Sequence, residues 1–254
     1  MIVTSEAIVL RTMKYRESSL IATLLTHNHG KLSVLAKGGR DRKSRVAGSL
    51  QAMNHVSAVY YMKEGRDLHL LSQCDLVRPF HGLTRDLERM SSGLALVELT
   101  SAVIPAEEAD LPLFNLVAES LAAINDATKN VENALYFFEM HLLEHLGFKP
   151  DLHHCFRCRT PIDEREASRG LHMSQHGILC AACSRAGFGL EELTAPAVKV
   201  LQRLQEVEYA SGVTHFVLPP RLRGEIAGVL RRFLQGHIEG LRTLRSETVF
   251  STLP

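Results

Sequence analysis

His55-Val-Ser-Ala-Val-Tyr-Tyr-Met62, Lys63-Glu-Gly-Arg66 and Asp67-Leu-His-Leu-Leu-Ser-Gln-Cys74 read as two extended runs joined by a hairpin-like turn. Side chains alternate between faces along a strand, so at least one of Tyr60 and Tyr61 points inward. Upstream, Ile2-Val3 with Ala7-Ile8-Val9-Leu10 predicts one strand and Ser19 to Thr26 a second. A turn at His27-Asn28-His29-Gly30 leads into Lys31 to Lys37, where Leu32, Val34 and Ala36 alternate with more polar neighbours. Five short strands with no helix-period stretch between them predict a small closed barrel. An SH3-like barrel and a five-stranded OB barrel both fit.

After Pro79 the texture changes. Residues 82–104, about 110–126 and 130–148 carry apolar positions three and four apart, with breaks at Pro105, Pro112 and Gly147. Helices resume at Thr194-Ala-Pro196, where Thr194 is an N-cap candidate. The last helix starts near Pro219-Pro220, with Leu222, Ile226, Leu230, Phe233, His237, Leu241 and Leu244 forming one stripe. The fold class expected is α+β. A barrel occupies residues 1–80, an α-helical domain residues 81–152 and 186–254, and a cysteine-rich module is inserted at residues 153–185.

Composition bounds the function. The 254 residues are 45% hydrophobic and 22% charged, the balance of a soluble globular protein. No leader pattern is apparent, and the run Leu94-Ala-Leu-Val97 ends at Glu98, far short of the roughly 18 apolar residues of a membrane span. A cytoplasmic protein without membrane contacts is therefore expected. The net charge of +1 hides a segregation: residues 1–80 hold twelve Lys and Arg against six Asp and Glu, whereas residues 81–149 hold four against eleven. Such asymmetry directs a polyanion towards the ends of the chain.

Cys155-Phe-Arg-Cys158 and Cys180-Ala-Ala-Cys183 form two C-x2-C knuckles with 21 residues between them. Each tight turn aims two sulfurs at one point, and two such turns complete the tetrahedron of soft ligands that zinc prefers. Four protein ligands leave no open position for water, so one structural Zn2+ is expected. It contributes folding free energy on the order of 10 kcal/mol to a segment with little core of its own. Disulfides are the competing reading, disfavoured without a secretion signal. His153, His154, His172 and His176 lie nearby, but the thiol set is already complete. Cys74 reads as a core thiol.

Two motifs suggest catalysis. His141-Leu-Leu-Glu144-His145 matches H-x-x-E-H, which can hold zinc and activate water, giving a zinc hydrolase as the alternative function. The same helix is largely apolar (Leu135, Phe138, Leu142, Leu146) and offers no third ligand, so two histidines on a core helix explain it as well. His237-Ile-Glu239 resembles half of a deaminase signature, but it follows the knuckles instead of preceding them. There is no G-x-x-x-x-G-K-[ST] for ATP.

Lys37-Gly-Gly-Arg40-Asp-Arg42-Lys43-Ser-Arg45 packs five cations and one anion between two strands. Glycines let the backbone approach a phosphate chain while Lys and Arg supply charge. Lys14, Arg16 and Lys31 extend the patch, and Tyr15, Tyr60 and Tyr61 are stacking candidates. A solvated loop is the competing reading. On the last helix, Arg223, Arg231, Arg242 and Arg245 fall within about 100° of arc at 100° per residue and form a second candidate DNA-binding face.

Taken in order, Tyr15-Arg-Glu17-Ser18, Thr26 with Gly30-Lys31, Lys37-Gly-Gly-Arg40 with Ser44-Arg45, Leu146-Gly-Phe-Lys-Pro150-Asp-Leu152, the two knuckles with Gly177-Ile-Leu before the second, and Gly240-Leu-Arg-Thr-Leu-Arg-Ser246 resemble the bacterial RecO family of recombination mediators over nearly the whole chain. The resemblance implies an N-terminal OB fold, a helical domain and a zinc module. It further implies a non-enzymatic role in recombinational DNA repair. The family binds single- and double-stranded DNA, anneals strands, works with RecR, contacts the acidic tail of single-strand DNA-binding protein, and thereby assists RecA loading. It works in the cytoplasm, associated with the nucleoid. The basic loop Lys37–Arg45 corresponds to the DNA-contacting loop. A zinc adaptor that meets only proteins is the remaining alternative.

Overall fold

The computed structural model describes residues 1–41, 44–63, 65–105, 108–163, 166, 171–174, 176–184, 191–238, 241 and 244, with the side chains of Arg45, Leu171 and Glu191 outside that description. The described residues build two compact units, one on residues 1–126 with Leu244 and one on residues 127–241.

The first unit begins with five strands: β1 (Ile2–Tyr15), β2 (Ser19–Thr26), β3 (Gly30–Ala36), β4 (His55–Tyr61) and β5 (Leu68–Arg78). They close in the order β1-β2-β3-β5-β4, with β4 pairing back onto β1. All pairs are antiparallel except β3 with β5, which is parallel through only Ser33↔Leu68, Val34↔His69 and Leu35↔Leu70. That order and closure are those of an OB barrel, which settles the choice against the SH3-like alternative. The single strand expected around Ile2–Leu10 is present and runs on to Tyr15. A register shift between Val9 and Arg11 bends it so that one strand serves two neighbours. Alternation fills the barrel with Val3, Ala7, Val9, Ala22, Leu24, Leu32, Val34, Val56, Ala58, Tyr60 and Leu71. The short helix α1 (Arg45–Ser49), which the strand pattern concealed, delivers Leu50 to this core.

A 3-10 turn (His81–Thr84) leads to α2 (Leu87–Val103) and α3 (Leu111–Asp126). Asp86 caps α2, its carboxylate accepting from the Arg89 amide. Both helices belong to the barrel's unit: α2 packs on β1, and Phe114 of α3 meets the rings of His27 and His55 edge-on. Gly30, at φ +64°, opens β3; a Cβ there would stand 2.1 Å from the Glu108 carbonyl oxygen.

In the second unit, α4 (Glu132–His145) is the central helix. A small sheet follows, of β6 (Leu171–Ser174), β7 (Gly177–Leu179) and β8 (Glu191–Leu193) in the order β7-β6-β8, with α5 (Ala181–Ser184) inside it in the chain. Then come α6 (Ala195–Glu206), α7 (Ala210–Val213) and α8 (Pro220–His237). Thr194 caps α6 as expected, its hydroxyl accepting from the Ala197 amide. Helix α4 contacts α6, α7 and α8, and its buried Asn133 donates to the carbonyls of Val213 and Phe216. Helix α8 buries Ile226, Val229, Leu230, Phe233 and Leu234 and ends at His237, so the stripe anticipated from the sequence does not extend along the helix to Leu241 and Leu244. Among the described residues no helix is long and apolar enough to cross a membrane.

Candidate nucleic-acid interface and metal centre

The four cysteines converge: the Sγ atoms of Cys155, Cys158, Cys180 and Cys183 all lie within 4.8 Å of one another. The chain brings them together by two devices. In the first knuckle the Arg159 amide donates to the Cys155 carbonyl and the Cys155 amide to the Thr160 carbonyl, with Arg159 in the left-handed region at φ +62°. Asp151 holds that turn, accepting from the amides of His153 and His154 and from the Arg159 guanidinium. In the second knuckle the amides of Cys183 and Ser184 both donate to the Cys180 carbonyl as α5 begins. Gly177 lets the two halves meet, because at φ +141° its Cα approaches the Asp151 backbone so closely that a Cβ would lie 2.6 Å from the carbonyl oxygen. The module is tied to its own unit by Gln202 and Gln205 of α6, which donate to the carbonyls of Leu152 and Pro150.

The donor set fits a soft tetrahedral cation. Zn–S bonds of ~2.3 Å require sulfurs ~3.8 Å apart, and Cys158 Sγ and Cys180 Sγ are separated by 3.7 Å. The Cys180 amide points at Cys155 Sγ at 3.4 Å, an arrangement that stabilises a thiolate. Hydrogen bonding from Thr160 pulls the Cys158 thiol down to about 6, whereas its contact with Cys158 pushes Cys183 up to about 12. Four sulfurs this close compete for protons, and a metal ion removes the competition. The histidines expected to stand aside do so: among the described residues the metal-competent cluster contains cysteines alone. Cys74 faces the barrel core, where burial pushes its thiol to about 12.

The hydrolase motif does not assemble. His141 Nε2 lies 3.1 Å from the Leu204 carbonyl and its ring packs on Phe137, while Glu144 is paired with Lys149 at 2.7 Å. Two of the three groups are committed to structural partners, and the zinc hydrolase alternative is discarded.

The basic residues of the barrel divide. The Arg40 guanidinium donates to the carbonyls of Arg16 and Glu17 at 3.0 and 2.6 Å, and its amide donates to the Ser18 carbonyl. The loop leaving β3 is thereby laced to the β1–β2 turn. Arg16, at φ +51°, lays its guanidinium over the Tyr15 ring. Lys14, Arg16, Lys37 and Arg40 are all exposed. Arg42 and Lys43 lie outside the described residues, as does the Arg45 side chain. Lys31 belongs elsewhere: its Nζ donates to the Ser101 carbonyl at 2.9 Å, and burial lowers its pKa. Tyr60 is fully buried and Tyr61 41% exposed, so only the latter is open to a base.

Two arginines of the second face are paired with acidic residues of α4. Arg223 is bonded to Glu132 at 2.9 Å, and Arg231, with its side chain 20% exposed, stands 4.0 Å from the buried Glu139. Both guanidinium groups turn inward from α8 to α4. Helical spacing cannot be carried to Arg242 and Arg245, which lie beyond the end of α8 and outside the described residues. Lys63 and Arg66 of the β4–β5 turn, both cations in plain view in Lys63-Glu-Gly-Arg66 but outside the expected patch, are exposed as well.

Two family models match the chain in succession. The family model described as Recombination protein O N terminal matches residues 1–80, and that described as Recombination protein O C terminal matches residues 84–247. A protein of Chloroherpeton thalassium named DNA repair protein RecO is 31% identical over 258 residues, spanning 100% of this chain and 99% of its own. Proteins of the same name from Chlorobium limicola (34% identity, 80% of each chain) and Symbiobacterium thermophilum (30%, 98% of this chain and 96% of the other) are similar.

Proposed function

The chain belongs to the RecO family of DNA repair proteins, and from that premise we propose that it is a recombination mediator that binds DNA through the rim of its barrel and performs no covalent chemistry. Residues 1–80 form the DNA-binding barrel, residues 81–152 and 186–254 the helical domain, and residues 153–185 the zinc module. The mediator binds single- and double-stranded DNA, promotes annealing and works with RecR to assist RecA loading in the cytoplasm. It does so on strands coated by single-strand DNA-binding protein, whose acidic tail it contacts.

One observation carries this reading: Arg40 laces the loop after β3 to the β1–β2 turn, which sets Lys37, Arg16 and Lys14 on the exposed barrel. Cations held by a fixed backbone can meet consecutive phosphates and release their counterions. Arg42, Lys43 and Arg45 add to the loop's charge. Arg223 and Arg231 take no part, since each is committed to a carboxylate.

The metal in this reading is one Zn2+ held by Cys155, Cys158, Cys180 and Cys183. It supplies only cross-linking of the two knuckles; the residues themselves position the module through Asp151, Gly177 and α6. Filter binding of the purified protein to a single-stranded oligonucleotide at low salt tests the proposal. Retention supports it, whereas no retention leaves a zinc adaptor that meets only proteins.

A further inference from the structure

The four clustered sulfurs are not shielded equally. Cys155 is fully buried, Cys180 is 4% exposed, Cys183 is half-buried, and Cys158 is exposed. Cys74, the fifth cysteine, lies in the barrel core. A dissolved reagent therefore meets Cys158 first.

The surroundings of that sulfur suit a reactive thiolate. Residues 155–160 carry Arg157 and Arg159 and no carboxylate. Both arginines are exposed, and the Asp151 carboxylate that faces this turn is bonded to the Arg159 guanidinium. The Thr160 hydroxyl lies 3.2 Å from Cys158 Sγ, placed to donate to it. Exposure among cations and donors opens a thiolate to oxidants. A second sulfur is at hand on the other knuckle, with Cys180 Sγ 3.7 Å away. Cys155, the neighbour within the first knuckle, is held differently, because its buried sulfur receives the Cys180 amide at 3.4 Å.

Resting on the reading that the four sulfurs hold Zn2+, we propose that Cys158 is an oxidative modification site for hydroperoxides, and that Cys180 resolves it to a disulfide joining the two knuckles. Ligation keeps the sulfurs deprotonated. The Cys158 thiolate attacks the outer oxygen of the hydroperoxide; the O–O bond breaks, an S–O bond forms, and the departing alkoxide takes a proton from water. The Cys180 thiolate then attacks the sulfur of the Cys158 sulfenic acid, the S–S bond forms and hydroxide leaves. The two thiolates supply the two electrons that reduce the hydroperoxide to an alcohol. To reach disulfide length the sulfurs close by about 1.7 Å. Cys155 and Cys183 remain, too few to retain the ion. The new bond spans the same two knuckles that the ion spans, so oxidation exchanges one brace for another.

The test treats the zinc-loaded full chain with tert-butyl hydroperoxide. Released zinc is read with a chromogenic chelator, and disulfides are mapped by mass spectrometry of peptides after free thiols are blocked. About one equivalent of hydroperoxide should release the zinc and yield Cys158 linked to Cys180. The oxidised chain should resist protease as the zinc-loaded chain does, and dithiothreitol with added zinc should restore the starting protein. Cys158→His keeps four ligands, since an imidazole can replace one thiolate in a structural site, and should release zinc at least about tenfold more slowly. Cys74→Ser should release it as the parent does. Zinc retained under excess hydroperoxide, or lost equally fast from Cys158→His, overturns the proposal. So does a first disulfide confined to one knuckle, or an oxidised chain cut as readily as one stripped of metal. The parent's disulfide map decides the pairing even where Cys158→His binds no metal. A purified parent that takes up no zinc overturns the metal reading, and the proposal with it.

Discussion

Lys31 Nζ donates to the Ser101 carbonyl at 2.9 Å, across 70 residues of sequence. Ser101 is in the last turn of α2, where helix carbonyls lack intrahelical donors and the dipole favours a cation. Lys31 thus ties the barrel to the helix packed on it.

Replacing Lys31 with Ala should lower the unfolding free energy by about 1 kcal/mol and change oligonucleotide affinity by less than twofold. Urea unfolding and filter binding on the same preparation check this. A large drop in affinity at unchanged stability would return Lys31 to the interface.

Glu139 is buried on α4, and burial pushes its carboxyl up to about 7 against the opposing pull of Arg231. In the unfolded chain the same group titrates near 4.5. Between those values the folded state holds the proton that the unfolded state has lost. Its contribution to stability is complete below about 4.5 and disappears as pH rises through about 7. Relative to Glu139→Gln, the parent should lose about 1 kcal/mol between pH 6 and pH 8.5. Parallel curves for the two proteins in urea would refute a shifted carboxyl.

Metal analysis should find one zinc per chain. Cys155→Ser with Cys180→Ser should abolish it, whereas His141→Ala with His145→Ala should retain it. Because the site joins the two knuckles within their own unit, chelation should expose the knuckles to protease while amide exchange in β1–β5 stays slow. Zinc lost with the histidine pair would revive the hydrolase reading.

Arg223 and Arg231 should behave as ties, not as phosphate ligands. Changing both to Ala removes the partners of Glu132 and Glu139 and should cost about 2–4 kcal/mol. The salt dependence of DNA binding by the folded fraction should not move.

How far the residues disclosed all this depended on range. The barrel was legible because Leu32, Val34 and Ala36 alternate within a few positions, and the knuckles because two C-x2-C units carry their own geometry. Strands β6–β8, of three or four residues each, are too short for alternation to register. Arg223 finds Glu132 at a separation of 91 residues, which helical spacing on α8 cannot reveal. Likewise Leu35 comes to lie beside Leu70 only once β3 and β5 pair to close the barrel.

In the proposed mediator, cations on the barrel rim grip a sugar-phosphate strand. Retention of a single-stranded oligonucleotide is measured across a salt series for the parent and for the variant with Lys37, Arg40, Arg42, Lys43 and Arg45 all changed to Ala. The parent's log affinity should fall with log salt at a slope near about −3.5, with at least about tenfold lost in the variant while the fold persists. Identical affinity and slope in the two proteins would contradict it.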